Sequence, residues 1–228
     1  MLHKNDKSRL SLVDKAYVEI RRRILEDNWQ PGYQALEEAI ARELDMSRTP
    51  VREALIRLER EGLVEIMPRR GMRVVAISST DMCDIYEVVT VLESEAAARL
   101  ARLRPDKKFL APLNASVEAM DKALEKDNLK AWAKADEAFH ANLLKLCGNA
   151  RLAQMGMSVQ DRIKRARLAT LNERPVPYRS NDDHRALIEA IMEGDVEAAR
   201  RIHTQHKQNA MQMITTILKQ REDDDLDE

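Results

Sequence analysis

Aromatic residues make up only 4% of this 228-residue chain, which also has just 6 glycines, 7 prolines and 2 cysteines. The shortage of rings disfavours an all-β protein, because aromatic residues are among the strongest strand formers. So few glycines and prolines exclude collagen-like and low-complexity chains. Two cysteines, Cys83 and Cys147, cannot build a disulfide framework and are typical of a reducing compartment.

Long hydrophobic runs are also lacking. The first residues, MLHKNDKSRL, contain no apolar stretch, and no run elsewhere approaches the roughly 18 residues that cross a bilayer. The sequence therefore predicts neither a secretion signal nor a membrane span, and we expect a cytoplasmic protein. The formal net charge is −1, so bulk charge gives no argument for nucleic-acid binding.

What the sequence does contain is helical periodicity. Apolar residues at helical spacing predict helices over 12–27, over 36–44 and from about 49 to Glu61, where Gly62 ends the third helix. Two short β-like runs, 63–66 and 72–75, follow on either side of Pro68-Arg69-Arg70-Gly71. Three helices and a small hairpin are the pattern of a winged helix-turn-helix. Residues 1–77 are therefore expected to form a DNA-binding domain.

The rest of the chain has no strand signal. Breaks at proline, glycine and Asp-Asn positions divide it into six predicted helices, over 80–103, 106–126, 128–147, 150–172, 181–193 and 195–219. Residues 78–220 are expected to form an all-α six-helix bundle, and the whole protein to be mostly α. The sequence REDDDLDE at 221–228 is expected to be a frayed, solvated acidic tail.

The sharpest signal for function lies in the third helix. Arg48 and Arg52 are four residues apart and share one face with Thr49, whereas Val51 and Leu55 take the opposite face toward the core. A first turn that presents these polar side chains outward suits entry into the major groove, where arginine reads guanine. The alternative is a solvated face on which the arginines pair with nearby glutamates.

The surrounding motif favours the first of these. The sequence SRTPVREAL at 47–55, followed by EGL at 61–63 and PRRG at 68–71, resembles the GntR family of bacterial transcription regulators over about residues 12–76. The resemblance implies that six residues lie at the DNA, from the recognition helix and the wing tip: Ser47, Arg48, Thr49, Arg52, Arg70 and Gly71. Asp45 stands where the family has a turn glycine, so we expect it in a backbone conformation that glycine tolerates better.

Polar side chains interrupt the apolar stripes of the second region. Asp136 and His140 lie four residues apart on one predicted helix, and His184 and His206 lie on apolar faces of two later helices. One carboxylate and three imidazoles suit a divalent metal ion such as zinc, nickel or iron. The alternatives are ordinary core histidines and an Asp136 that pairs with a buried arginine. His203 also reaches the stripe on which His206 lies.

A second resemblance concerns this region. The segments DEAFH at 136–140, GNARL at 148–152, HRALIEAI at 184–191 and GDVEAA at 194–199 resemble the FCD effector domain of many GntR regulators, over roughly residues 80–220. The resemblance implies a divalent metal ion, expected to be zinc, with nickel, iron or manganese as alternatives. It maps the ligands onto Asp136, His140, His184 and His206, with His206 selected over His203 by its distance from Gly194. It also implies a small carboxylate metabolite held beside the metal ion.

One departure from the FCD pattern affects the metabolite. These domains often carry an arginine shortly before a Leu-Glu pair, where this chain has Val89 before Leu92-Glu93. The candidate replacements for that cation are Arg99, Arg162 and Arg165.

Together these features predict a ligand-responsive, sequence-specific transcription regulator of metabolic genes. We expect a repressor that binds an inverted repeat of double-stranded DNA as a homodimer, with no membrane partner. The alternative is a metal-dependent hydrolase or lyase that uses the Asp/His site. The sequence has no HExxH motif and no Ser/His/Asp or Cys/His set, so we expect no enzyme.

Overall fold

A computed structural model of the protein describes residues 10–26 and 28–227. It divides into two units, the first ending at Ala76 and the second beginning at Ile77. Helices dominate, and the predicted mostly α fold class is confirmed. The elements of the first unit are α1 (Leu12–Leu25), β1 (Gln34–Ala35), α2 (Glu37–Glu43), α3 (Arg48–Arg60), β2 (Val64–Met67) and β3 (Gly71–Val74).

The sheet of the first unit contains one strand more than the predicted hairpin. Its order is β1-β3-β2 with antiparallel neighbours, and β1 pairs Ala35 with Met72. A two-residue strand has no alternating pattern by which the sequence could reveal it. It forms because β3 offers unpaired backbone groups: Gly32 N–H donates to the Val74 carbonyl at 2.9 Å, and Val74 N–H donates to the Tyr33 carbonyl at 2.9 Å.

The turn between α2 and α3 sets the angle of the recognition helix. Asp45 adopts a φ of 51°, so the prediction of a left-handed conformation at this position is confirmed. The next amide, Met46 N–H, donates to the Ala41 carbonyl at 2.9 Å and closes the end of α2. Pro50 then lies buried in the first turn of α3, where no intrahelical N–H is required.

Gly71 at the start of β3 has no room for a side chain. Its φ is +83°, and an added Cβ would lie 2.1 Å from the Ala35 carbonyl oxygen of β1. Gly32 has nearly the same φ, +82°, with no atom within 4 Å of an added Cβ. The two glycines therefore share the conformational strain of a substitution and differ in the steric clash.

We expect Gly71→Ala to separate β1 from β3, because the clash is with rigid backbone and costs about 1–3 kcal/mol beyond the strain common to both sites. Amide hydrogen exchange in the full chain measures this directly. Exchange of the β1 and β3 amides should rise strongly in Gly71→Ala and little in Gly32→Ala. Equal exchange in the two variants would contradict the steric explanation.

The second unit contains seven α-helices within the described residues, rather than the predicted six. They are α4 (Ser79–Leu103), α5 (Ala111–Leu124), α6 (Leu129–Leu146), α7 (Ala150–Ser158), α8 (Gln160–Ala169), α9 (Tyr178–Glu193) and α10 (Val196–Asp227), with a 3-10 helix at Leu171–Glu173.

The helix predicted over 150–172 is divided at Val159, and the prediction of one continuous helix is wrong. Gly156 of α7 packs so closely on α6 that an added Cβ would lie 2.8 Å from the Leu144 side chain. After Val159 the chain turns, and α8 packs Ile163 and Ala166 against α4 and α10. No proline or glycine marks the break, because packing on two different neighbours produces it.

The acidic segment is also helical where it is described. Residues 221–227 continue α10, so the prediction of a frayed tail is wrong for them. Glu222 accepts a hydrogen bond from the Ser79 backbone N–H at 2.7 Å and so caps the start of α4. Arg221 forms an ion pair with Glu173. Charged residues at the end of the chain are therefore used to connect α10 with α4 and with the 3-10 helix.

Candidate functional site

The exposed side of α3 carries the residues predicted to meet DNA. Ser47, Arg48, Thr49 and Arg52 are all exposed, and the side chains of Arg48 and Arg52 have 67% and 70% of their surface accessible. The opposite face is fully buried through Val51, Ala54, Leu55 and Leu58. Ser47 is the N-cap residue, yet its side chain makes no capping hydrogen bond. The helix thus presents two arginines and two hydroxyls outward from its first turns.

A single carboxylate faces both arginines. Glu37 of α2 lies 3.4 Å from Arg48 Nη2 and 3.9 Å from Arg52 Nε. Exposed pairs of this kind contribute about 0–1 kcal/mol to stability. Pairing with a nearby glutamate is therefore present but weak, and both guanidinium groups remain accessible to a ligand.

The wing residues lie in the β2–β3 turn. Arg69 has a φ of 65°, and Arg70 N–H donates to the Met67 carbonyl at 3.1 Å. The side chains of Arg69 and Arg70 are exposed, and Gly71 closes the turn against β1.

In the second unit the structure brings together the four residues that were predicted as metal ligands. Asp136 and His140 of α6, His184 of α9 and His206 of α10 each offer one ligand atom, and these atoms lie within 4.8 Å of one another. Asp136, His140 and His184 are at most 1% exposed, and His206 is 7% exposed. His184 Nε2 lies 3.6 Å from Asp136 Oδ1, and His140 Nε2 lies 3.6 Å from Asp136 Oδ2.

Unpaired polar atoms in this group fit a metal ion. Neither nitrogen of His184 and neither lone pair of Asp136 Oδ1 has a hydrogen-bond partner within the described residues. Buried polar atoms without partners are costly and rare. Burial also lowers the pKa of His140 to about 3 and that of His206 to about 4, so these rings are neutral and their nitrogens can bind a cation.

The remaining ring nitrogens of the group face carboxylates. His206 Nδ1 forms a 3.3 Å hydrogen bond with Asp183, and His140 Nδ1 lies 2.8 Å from Glu93 Oε2. Carboxylates behind metal-binding histidines orient the rings and select the tautomer whose other nitrogen carries the lone pair. Both carboxylates belong to helices that also supply buried core residues, so their positions are well defined.

Glu93 is the centre of a second buried group that the sequence analysis missed. Lys207 Nζ lies 2.8 Å and His203 Nε2 lies 2.9 Å from Glu93 Oε2, and Gln160 donates to Glu93 Oε1 at 2.9 Å. Burial alone would raise the pKa of Glu93, but Lys207 and His140 hold it well below its usual range. Lys207 thus supplies the positive charge that Glu93 needs. His203 belongs to this group, whereas His206 belongs to the group around Asp136.

Arg167 of α8 is the second residue that the sequence analysis missed. Its guanidinium group forms an ion pair with Asp136 Oδ2, and both residues are buried. The possibility that Asp136 pairs with a buried arginine is therefore realised beside the histidines rather than instead of them. Lys207 and Arg167 are charged residues on helices that are otherwise buried on that side. This is the one sequence signal that would have singled them out.

The arginines named as replacement cations lie elsewhere or face away. Arg99 donates to the Cys147 carbonyl at 3.4 Å, and Arg162 forms an ion pair with Asp81. Arg165 is buried in α8, two residues from Arg167, and side chains two apart on a helix lie on nearly opposite sides. Val89 packs in an apolar cluster with α8, so α4 supplies no cation at that position.

Comparison with known proteins agrees with this architecture. Residues 12–74 match the family described as bacterial regulatory proteins, gntR family, and residues 84–209 match the FCD domain. The chain belongs to the gntR family of bacterial regulatory proteins. Its FCD match spans the helices that hold both buried polar groups.

Individual relatives of this GntR regulator are also regulators. An Agrobacterium vitis protein, described as an uncharacterized HTH-type transcriptional regulator in the TAR-I ttuE-ttuC' intergenic region, is 48% identical over 134 residues, which are 58% of this chain and 78% of that protein. The HTH-type transcriptional repressor RspR of Escherichia coli is 26% identical over 205 residues, which are 90% of this chain and 89% of that protein.

The fold agrees with a solved structure described as E. coli McbR/YncC. The TM-score is 0.74 at 22% identity, covering 93% of this chain and 99% of that chain. This GntR regulator is not an enzyme, because its family and relatives are transcription regulators, and the hydrolase or lyase alternative is set aside. None of the helices in the described residues is long and apolar enough to span a membrane.

Proposed function

We propose that this GntR regulator is a metal-containing metabolite sensor that represses genes from an operator bound by a homodimer. The observation that carries the sensing role is the buried Asp136/His140/His184/His206 group, whose atoms converge without partners inside a helical bundle. The repressor role is supported by the similarity to RspR, which is named as a repressor. Such a regulator acts where the chromosome lies, so we propose a cytoplasmic location.

For DNA reading, we assign base contacts to Arg48 and Arg52 and phosphate or sugar contacts to Ser47 and Thr49. The assignment is supported by their exposure on the first turns of α3, since a helix N-terminus attracts phosphate and arginine forks match guanine. Arg70 and Gly71 of the wing would approach the minor groove or the backbone.

For sensing, we assign the divalent ion to Asp136, His140, His184 and His206. Three imidazoles and one carboxylate suit zinc best, with nickel, iron and manganese as the other candidates. A bound ion supplies a Lewis acid for one oxygen of a small carboxylate metabolite. Asp183 and Glu93 orient two of the rings, and the apolar residues around them keep bulk water out.

The homodimer is supported by the symmetry that an inverted repeat requires and by two exposed valines on one face of α4. Val88 and Val91 are 53% and 69% exposed. A metabolite can change operator affinity only if it binds two arrangements of this dimer with different affinities.

The function is tested by selecting bound duplexes from a random DNA pool at one stated moderate salt concentration, with zinc-loaded and with chelated protein. We expect a short inverted repeat whose half-sites lie about one helical turn apart. In a transcription assay, the repeat placed over a promoter should reduce transcript yield when the protein is added. Failure of folded protein to enrich any sequence in either metal state would contradict the proposal.

A further inference from the structure

Asp136 has two competing positive partners. In the structure its Oδ2 is paired with the guanidinium group of Arg167, and the same carboxylate lies among the three histidines suited to a metal ion. Arg167 lies over the Trp132 ring, with its Cζ 5.9 Å from the ring centroid, and is shielded from solvent. A carboxylate that binds a divalent ion gives up most of its attraction for a neighbouring arginine, so the ion and Arg167 compete for it.

Charge balance shows what the loss of that partner would mean. The buried groups contain two carboxylates, Asp136 and Glu93, and two cations, Arg167 and Lys207. They neutralise one another pairwise when no ion is bound. A divalent ion adds two positive charges to a site with little access to water, and unbalanced buried charge is costly. The loaded site therefore requires an anion, and the cation released from its partner is Arg167.

We propose that Arg167 exchanges partners: it neutralises Asp136 in the absence of metal and holds a carboxylate of an anionic ligand when a divalent ion is bound. This inference rests on the proposed function and names the residue that recognises the metabolite. Arginine suits the role because its planar fork matches a carboxylate bidentately. Lys207 stays with Glu93 at 2.8 Å, and the guanidinium of Arg174 donates to the Arg167 carbonyl at 2.8 Å, so neither is released.

Two consequences follow for binding. Anions and the metal ion bind cooperatively, because each relieves the charge that the other creates, and this coupling is reciprocal. Removal of the guanidinium charge should strengthen metal binding, because the competitor for Asp136 disappears. A merely structural arginine would have the opposite effect, since its loss would loosen the site.

The experiment measures zinc affinity of the full-length protein by competition with a chromophoric chelator. Titrations are made in sodium chloride, in sodium acetate of equal ionic strength and in chloride with acetamide as the uncharged analogue. For the wild-type protein we expect acetate, and not acetamide, to raise zinc affinity. Arg167→Met should bind zinc about tenfold more tightly in chloride and should lose the acetate effect.

The matched control is Lys164→Met. Lys164 also lies on α8 and pairs with a carboxylate of α6, Glu137, at 2.9 Å, but this pair is partly exposed. It should leave zinc affinity and the acetate effect as in the wild type. Arg167→Lys keeps the charge without the fork, and is expected to keep wild-type zinc affinity while the acetate effect weakens. It decides the question if Arg167→Met does not fold.

An acetate effect that persists in Arg167→Met, or is undiminished in Arg167→Lys, would overturn the inference. A folded Arg167→Met protein with unchanged or weaker zinc affinity would overturn it as well. Zinc binding by the wild-type protein without any acetate effect would contradict this inference and leave the metal site standing. A wild-type protein that binds no zinc would contradict the proposed function itself.

Discussion

Replacing Arg52 with alanine is expected to abolish operator-specific DNA binding by this GntR regulator. Each bidentate arginine–guanine pair contributes about 1–3 kcal/mol of discrimination, and a homodimer loses one pair in each half-site. The folded state should be almost unaffected, because Arg52 is 70% exposed and its nearest carboxylate, Glu37, is 3.9 Å away. Fluorescence anisotropy with the selected duplex and with a scrambled duplex, at one fixed salt concentration, measures the loss.

Arg60 provides the matched control for this variant. It is an exposed arginine in the last turn of the same helix, about 12 Å along the axis from Arg52. Arg60→Ala should change both affinities little and equally, whereas Arg52→Ala should bring the operator affinity close to that of the scrambled duplex. Unchanged operator affinity in Arg52→Ala would remove α3 as the reading element.

The second large effect is expected at His184. Chelation of the metal should lower the melting temperature of the wild-type protein and leave that of His184→Ala unchanged. An ion at 100 times its dissociation constant stabilises the folded state by about 2.7 kcal/mol, which is roughly 5–10 °C for a protein of this size. Both ring nitrogens of His184 lack hydrogen-bond partners in the described residues, so the metal-free protein loses mainly packing against Phe139.

His203→Gln is the control that separates the two buried groups. His203 is as buried as His184, but its Nε2 is hydrogen-bonded to Glu93. This variant should be less stable than the wild type and should still respond to the chelator. A response lost in His203→Gln and kept in His206→Gln would assign the α10 ligand to the wrong histidine.

Local signals in the sequence were sufficient where neighbours along the chain decide the outcome. Helical spacing predicted most helices to within a few residues, and the left-handed turn at Asp45 followed from its place in a known motif. The spacing of Asp136 and His140 places both on one side of α6, because residues four apart on a helix are neighbours. The break at Val159 and the helical acidic segment escaped prediction because contacts with other helices produce them.

By itself, then, the sequence determined the helical fold class, the recognition helix with its outward arginines, and the set of polar residues on buried faces. Only the tertiary structure decided which of those residues meet. Glu93 and Lys207 are 114 positions apart, and Asp136 and Arg167 are 31 apart, yet each pair is in contact. Periodicity assigns a residue to a face of its own helix. The packing of several helices then selects His206 for Asp136, His203 for Glu93 and Arg167 as the counterion of Asp136.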